Sequence, residues 1–433
     1  MDSLLINTGV FLKRGTRVVK FNRRDAIRTT AVATAAVMAG KTVNGAGNDE
    51  NDYQELCPHS FLTEGSDFYD VSRGNPKPYT LMGQQRVDAG LTQESWRLDI
   101  TADPFVENGV VKEPASALKQ FSKADGNPLN FKMLTDLGET HGVKFIKAMQ
   151  CLNIPQPLGQ GLWEGVPLSV VLRQCGVLKN VRRVYFRGFH NNDPKQVFQS
   201  SVSYTQAMET PPGELPVFLA YRLNNQPISL ERGGPVRMIV PWAHGFKSIK
   251  WLQQIFLTND YRVNDTYALN NNDPESYLKT AAYLDKGRTE YKAGEPVVIT
   301  GQAINGYSGL ARVEYWVREL VAGARRLEDN APELQNASWQ KCELADEPIW
   351  EDVLPKGTDP RGILGFSQET GRPISWPLRY GMISFYTVLK GLKPGRYEIR
   401  ARTVDRNGFA QPEPRSLQKS GKNEIPTRRL TVV

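Results

Sequence analysis

Cysteine and histidine are scarce, with four of each in 433 residues. So few cysteines exclude a disulfide-built scaffold. With no His-x-x-x-His pair, no Cys-x-x-Cys and no Cys-x-x-Cys-His, zinc clusters, iron-sulfur clusters and covalent haem c have no ligand set. No Gly-x-Gly-x-x-Gly follows a strand pattern and no Gly-x-x-x-x-Gly-Lys-Ser/Thr occurs, which removes dinucleotide and P-loop readings. Beyond the N-terminal region no apolar run reaches the roughly 18 residues of a membrane span. Excess positive charge is also smaller than the formal +8 suggests. The first 40 residues carry seven Lys/Arg against Asp2 and Asp25, a local +5 that leaves about +3 for everything else. Nucleic-acid binding is therefore not expected.

What is present begins with an address. Basic residues 13–28 include Asn22-Arg23-Arg24-Asp25, and a small-residue apolar run from Thr29 to Gly40 follows. This is the layout of a twin-arginine export signal over residues 1–46, with cleavage expected between Ala39 and Ala46. The expected mature protein is soluble and periplasmic. Twin-arginine export carries folded chains, so the leader points to a cofactor inserted before export.

Surroundings sort the cysteines. Cys175 closes Leu168-Ser-Val-Val171-Leu172-Arg-Gln-Cys175, with apolar residues at i, i+3, i+4 and i+7, and reads as the buried face of a helix stopped by Gly176. Cys57 and Cys342 lie in polar, irregular sequence; an exported protein could pair them, but nothing in the sequence brings them together. Cys151 ends a strand pattern in which Val143, Phe145, Met149 and Cys151 share one parity, and a Pro/Gly-rich stretch (155–161) follows. A side chain at a strand end facing such a loop is well placed for chemistry. On spacing alone, a metal thiolate and a buried structural thiol are equally served.

A second constellation spans residues 232–251: a strand from Val236 to Val240, Pro241, then a glycine turn, with Arg232, Arg237, Lys247 and Lys250 around it. Backbone amides near Gly245, the Ser248 hydroxyl and these cations suit an anion cradle. Alone, the segment reads equally well as a solvated basic loop.

The run Gly-Gly-Pro-Val-Arg-Met-Ile-Val-Pro (233–241), followed by Gly245 and Lys250-Trp251, resembles the pterin-binding segment of the sulfite oxidase family of molybdenum enzymes. Pro241-Trp242 with Gly245-Phe-Lys-Ser-Ile-Lys250 is similar to the periplasmic methionine-sulfoxide reductase branch of that family. Met149-Gln150-Cys151 and Trp163-Glu-Gly-Val-Pro167-Leu168 match the family's cysteine motif and the Trp-x-Gly-x-Pro-Leu after it, in order, across residues about 75 to 260. The resemblance implies one molybdenum held by one pterin dithiolene and one thiolate, Cys151. It implies that Arg237, Ser248 and Lys250 hold the pterin phosphate and that Gly245, Phe246 and Lys247 form the adjoining loop. Arg232 takes a column that usually carries His or Asn, with a charge that still suits phosphate. His190 falls near a pterin-contacting stretch and reads equally as a satisfied loop histidine.

Departures from the family fall around the substrate. Leu152-Asn153-Ile154-Pro155 replaces the Gly-Asn-Arg-Arg that begins one residue after the ligand cysteine, and the usual substrate arginine and tyrosine are missing from their positions. Arg86 and Tyr267 are the nearest replacements. Losing fixed cations weakens an anionic substrate by on the order of 1.5–3 kcal/mol per contact.

From about residue 288 short alternating strands take over: Val297-Val-Ile-Thr-Gly; Val313, Tyr315 and Val317 against Arg312, Glu314 and Arg318; Tyr397, Ile399 and Ala401 against Glu398, Arg400 and Arg402. They read as a β-sandwich, one face apolar and the other polar. Two segments, 303–312 and 401–412, resemble the immunoglobulin-like dimerisation domain of sulfite oxidases.

The expectation is an α+β chain: leader 1–46, a sulfite-oxidase-type molybdopterin domain 47–286, and an immunoglobulin-like sandwich 287–433 acting as a homodimer contact. Its expected activity is oxygen-atom transfer on a small sulfur compound. With no haem segment, electrons would pass to a separate carrier such as a c-type cytochrome. Sulfoxide reduction in the reverse direction and a non-catalytic binding protein on the same fold are the alternatives.

Overall fold

The computed structural model describes residues 57–103, 113–151, 154–266, 268, 273–412 and 424–433. The export leader and Tyr267 lie outside the described residues. Strands dominate, and the longest described helix, Phe131–His141, has 11 residues. Asn130 starts it by accepting a hydrogen bond from the Met133 amide at 2.9 Å.

Two sheets build the first part. One runs in the order Leu129–Asn130, Arg97–Ala102, Leu252–Thr258, Arg183–Gly188 and Gln199–Ser203. Arg97–Ala102 and Leu252–Thr258 pair in parallel although more than 140 residues separate them, and the chain between returns to this sheet at Leu129–Asn130, Arg183–Gly188 and Gln199–Ser203. The other sheet is built from the same intervening chain: Gln226–Pro227, Phe218–Leu223, Pro157–Pro167 and Val143–Gln150, with Arg237–Ile239 added against Phe218–Leu223. Between the sheets pack Trp96, Leu98 and Ile100 with Val166, Leu168, Val171, Leu172, Cys175, Val236 and Met238. Helix Leu168–Arg173 buries Leu168, Val171 and Leu172, and Cys175 is buried beyond it, as the i, i+3, i+4, i+7 spacing requires. All four cysteines are free thiols.

The second part is a sandwich. One sheet orders Ala281–Leu284, Val297–Ile304, Met382–Leu389 and Glu343–Leu344; the other orders Glu290–Tyr291, Thr427–Val432, Gly395–Asp405, Leu310–Glu319 and Gln340–Lys341. Ala303, Ile383 and Phe385 from one sheet meet Leu310, Val313 and Ala401 from the other, a dry interface of the kind aligned sheets make. Ala281–Leu284 pairs with Val297–Ile304 from Ala281↔Ile304 onward, so the sandwich begins before the expected boundary at 286/287.

The polar face is exposed only in part, at Arg312. Glu398 and Arg400 are buried, because segment 327–345 covers them with Leu327, Leu334 and Trp339. Arg400 donates to the Leu327 carbonyl at 2.6 Å, and Glu398 receives Arg318, Arg400 and Arg429 at 3.1 Å each. Strand alternation reported which residues share a face and could not report what would cover that face.

Candidate active site

Strand Val143–Gln150 delivers Cys151, half-buried, at its end, after a register shift between Met149 and Gln150 against Pro157–Pro167. Gly245 lies across from it: a Cβ there would stand 3.3 Å from the Gln150 carbonyl and 3.7 Å from Leu158. The structure thus brings the cysteine motif and the 241–250 loop together, although nearly a hundred residues separate them. Gly233 has a left-handed φ of +96°, and any Cβ on it would press on Lys250, so this turn requires glycine.

Cations gather where strand and loop meet. Arg237 is buried; its terminal nitrogens donate to the Arg232 carbonyl at 2.6 Å and the Ser248 carbonyl at 2.7 Å, its guanidinium lies 5.2 Å from the Trp163 ring centre, and its Nε has no partner. Burial, then the neighbouring Arg232, brings its pKa down to about 9. Arg232 reaches the Phe68 carbonyl at 2.6 Å and the exposed Glu231 at 3.3 Å, and its Nε too is unpartnered. The Ser248 hydroxyl accepts the Val240 amide at 3.1 Å.

Both loop lysines are already engaged. Lys247 forms a fully buried ion pair with Asp265 at 3.0 Å and donates to the Ser201 carbonyl at 2.7 Å, so its ammonium holds the loop to strand Gln199–Ser203. Lys250 donates to Asp70 at 3.2 Å, to the Ser72 hydroxyl and to the Glu231 carbonyl at 2.5 Å. Burial, then Arg237, lowers its pKa to about 7. Phe246 meets Phe198 edge-on at 6.5 Å.

Other expected site residues stand elsewhere. Arg86, on the short helix Gly83–Asp88, donates its Nε to the Leu81 carbonyl at 3.0 Å, and no described contact joins it to Cys151. His190 Nδ1 lies 3.3 Å from the Gly188 carbonyl.

Sequence reasoning missed four residues. Gln150 donates its Nε2 to the Tyr283 hydroxyl at 2.7 Å. Burial chiefly pushes the Tyr283 pKa up to about 12; the Gln150 bond opposes this and the charge of Cys151 adds to it. This phenol therefore stands beside the cysteine. Lys147 is fully buried in the same strand, and His244 is fully buried in the loop. Lys147 carried a signal, a charge on the parity of Val143, Phe145, Met149 and Cys151, which is otherwise apolar. Tyr283 carried none, because its closeness to Gln150 depends on how the sandwich docks.

Residues 92–265 match the oxidoreductase molybdopterin-binding domain. Nitrate reductase [NADH] 2 of Phaseolus vulgaris is 34% identical over 125 residues, covering 26% of this chain and 14% of the relative. Mitochondrial sulfite oxidase of Drosophila melanogaster is 32% identical over 103 residues, covering 24% and 18%. Over residues 92–265 the chain carries a molybdopterin-binding oxidoreductase domain, similar there to nitrate reductase and sulfite oxidase. It spans less than a fifth of the length of these two relatives. The crystal structure of the sulfane dehydrogenase SoxCD from Paracoccus pantotrophus matches 91% of this chain and 95% of its own at 15% identity, with a TM-score of 0.52, a likeness of fold.

The residues fit the family's cofactor. Unpartnered buried Nε atoms on Arg232 and Arg237, an acceptor Nε2 on His244, and two buried cations, Arg237 and Lys147, that bond only to main-chain carbonyls suit an anion rich in hydrogen-bonding atoms. A thiolate at Cys151 is the soft ligand that molybdenum takes.

Proposed function

We propose that this chain is a molybdopterin oxidoreductase that oxidises a small sulfur compound. The observation that carries the reading is a half-buried Cys151 beside the buried Arg237, which pairs with no carboxylate among the described residues and whose Nε has no partner. Cys151 would hold the metal, Arg237, Arg232 and the amides around Gly245 would hold the pterin phosphate, and Lys250 would turn to it by exchanging Asp70. The group supplies two-electron oxygen-atom exchange: the sulfur compound gains an oxygen from water, two electrons pass to a separate carrier such as a c-type cytochrome, and two protons go to solvent.

This chain's own part is to bind, orient and keep a proton in place. With its pKa raised by burial, the Tyr283 phenol keeps its hydrogen at neutral pH. Because it already accepts from Gln150, that hydrogen is free to orient an oxygen beside Cys151.

A second reading, sulfoxide reduction, is favoured by one observation: the side chains described beside Cys151, Gln150 and Tyr283, are neutral donors, which suit an uncharged S=O group. Export on the twin-arginine leader and homodimerisation through an immunoglobulin-like sandwich complete the proposal; the leader's residue pattern and the two stacked sheets support them. The test is an assay of purified, cofactor-loaded protein with sulfite and oxidised cytochrome c, and with methionine sulfoxide and a reduced viologen dye. Turnover of sulfite supports oxidation, turnover of only the sulfoxide supports the second reading, and turnover of neither by loaded protein contradicts both.

A further inference from the structure

Lys147 has no role in the reading above, yet it is among the largest fully buried side chains in the molecule. Its ammonium donates to the Ala148 carbonyl at 2.9 Å and the Ala243 carbonyl at 3.4 Å, linking the strand that ends at Cys151 to the 241–250 loop. Both partners are neutral, and no carboxylate among the described residues pairs with it. Arg237 is its charged neighbour, likewise buried and likewise bonded only to main-chain carbonyls. Burial and then Arg237 pull the Lys147 pKa down to about 7. Two adjacent interior cations without an anion oppose folding, since desolvation of each ion costs several kcal/mol and their repulsion adds to it.

His244 completes the arrangement. Its Nδ1 lies 2.9 Å from the Ser276 carbonyl, which can only accept, so Nδ1 carries the hydrogen. Burial above all keeps the ring neutral, with a pKa of about 4, and Nε2 is left as a bare acceptor with no partner. A link between strand and loop would need the hydrogen bonds of Lys147 but not its charge. The charge is explained by something that is negative and bound.

We propose that Lys147, together with Arg237, is the buried counter-charge for the anionic pterin cofactor, with His244 Nε2 accepting one of the cofactor's N–H groups beside it. This rests on the cofactor assignment above and adds to it a cation from outside the loop. It follows that the cofactor-free protein carries a penalty that the loaded protein does not. The two forms must then respond oppositely to removal of the charge.

The experiment compares wild type, Lys147→Met and Lys147→Arg, each as cofactor-free full-length chain from a host without molybdopterin synthesis and as loaded protein. Thermal unfolding is measured on the cofactor-free form, and the rate of pterin release, by fluorescence, on the loaded form. Lys147→Met is expected to raise the cofactor-free midpoint by about 2–4 °C while releasing cofactor at least tenfold faster. Lys147→Arg is expected to hold the cofactor nearly as wild type does. A cofactor-free Lys147→Met midpoint that falls below wild type, or a release rate equal to wild type, overturns the proposal and leaves Lys147 a structural link. Wild type that takes up no molybdopterin at all removes the cofactor assignment itself, a failure visible before any variant is measured.

Discussion

Gln150 donates to the Tyr283 hydroxyl across 2.7 Å, and this one bond joins the residue before Cys151 to the first strand of the C-terminal sandwich. The sandwich is thus part of the wall around the candidate active site. Removing the Tyr283 hydroxyl alone should leave the fold almost intact, at a loss of about 1 kcal/mol for one hydrogen bond. If the phenol positions an oxygen beside the metal, Tyr283→Phe lowers kcat/KM by roughly 10²-fold while cofactor content is unchanged. Steady-state kinetics with cofactor quantified on the same samples check this, and an unchanged kcat/KM removes Tyr283 from the mechanism.

Stability of the cofactor-free chain should rise with pH. Lys147 and Lys250 have folded pKa values lowered to about 7, whereas an unfolded lysine titrates near 10.4. Between those values the unfolded chain holds protons that the native chain has released, so unfolding free energy climbs with pH across that window. Below about pH 7 both states are protonated and these groups add no slope. Urea unfolding from pH 7 to 10 should show the rise in wild type and a shallower one in Lys147→Met. An identical slope would mean that Lys147 is not held near neutrality.

Lys247 should behave as a structural residue. Its pair with Asp265 is fully buried, and Asp265 is further held by Ser200 at 3.0 Å and Ser201 at 2.5 Å. Lys247→Met strands that carboxylate in the interior and should destabilise by about 3–5 kcal/mol. Replacing both partners, Lys247→Met with Asp265→Leu, should recover much of the loss. Denaturant midpoints of the singles and the double decide this.

How much of this was legible in the sequence depends on how local each feature is. The Leu168–Cys175 helix face, the strand ending at Cys151 and the turn at Gly245 are local patterns, and they stand where periodicity and turn chemistry put them. Roles set by long-range packing were not legible. Lys247 reads as a free cation in the sequence, and Asp265, eighteen residues on, turns it into a staple. Glu398 and Arg400 alternate correctly and are buried anyway, because a distant segment folds over them. Tyr283 stands on a strand that the sequence assigned to no strand at all.

The most direct measurement is molybdenum and released pterin per chain, in protein produced in a cofactor-competent host, comparing wild type with Cys151→Ser. About one metal and one pterin per wild-type chain, with the metal's absorption spectrum altered or the metal lost in Cys151→Ser, is the predicted result. A wild-type chain with neither metal nor pterin, or a Cys151→Ser variant with unaltered metal content and spectrum, would contradict the account at its centre.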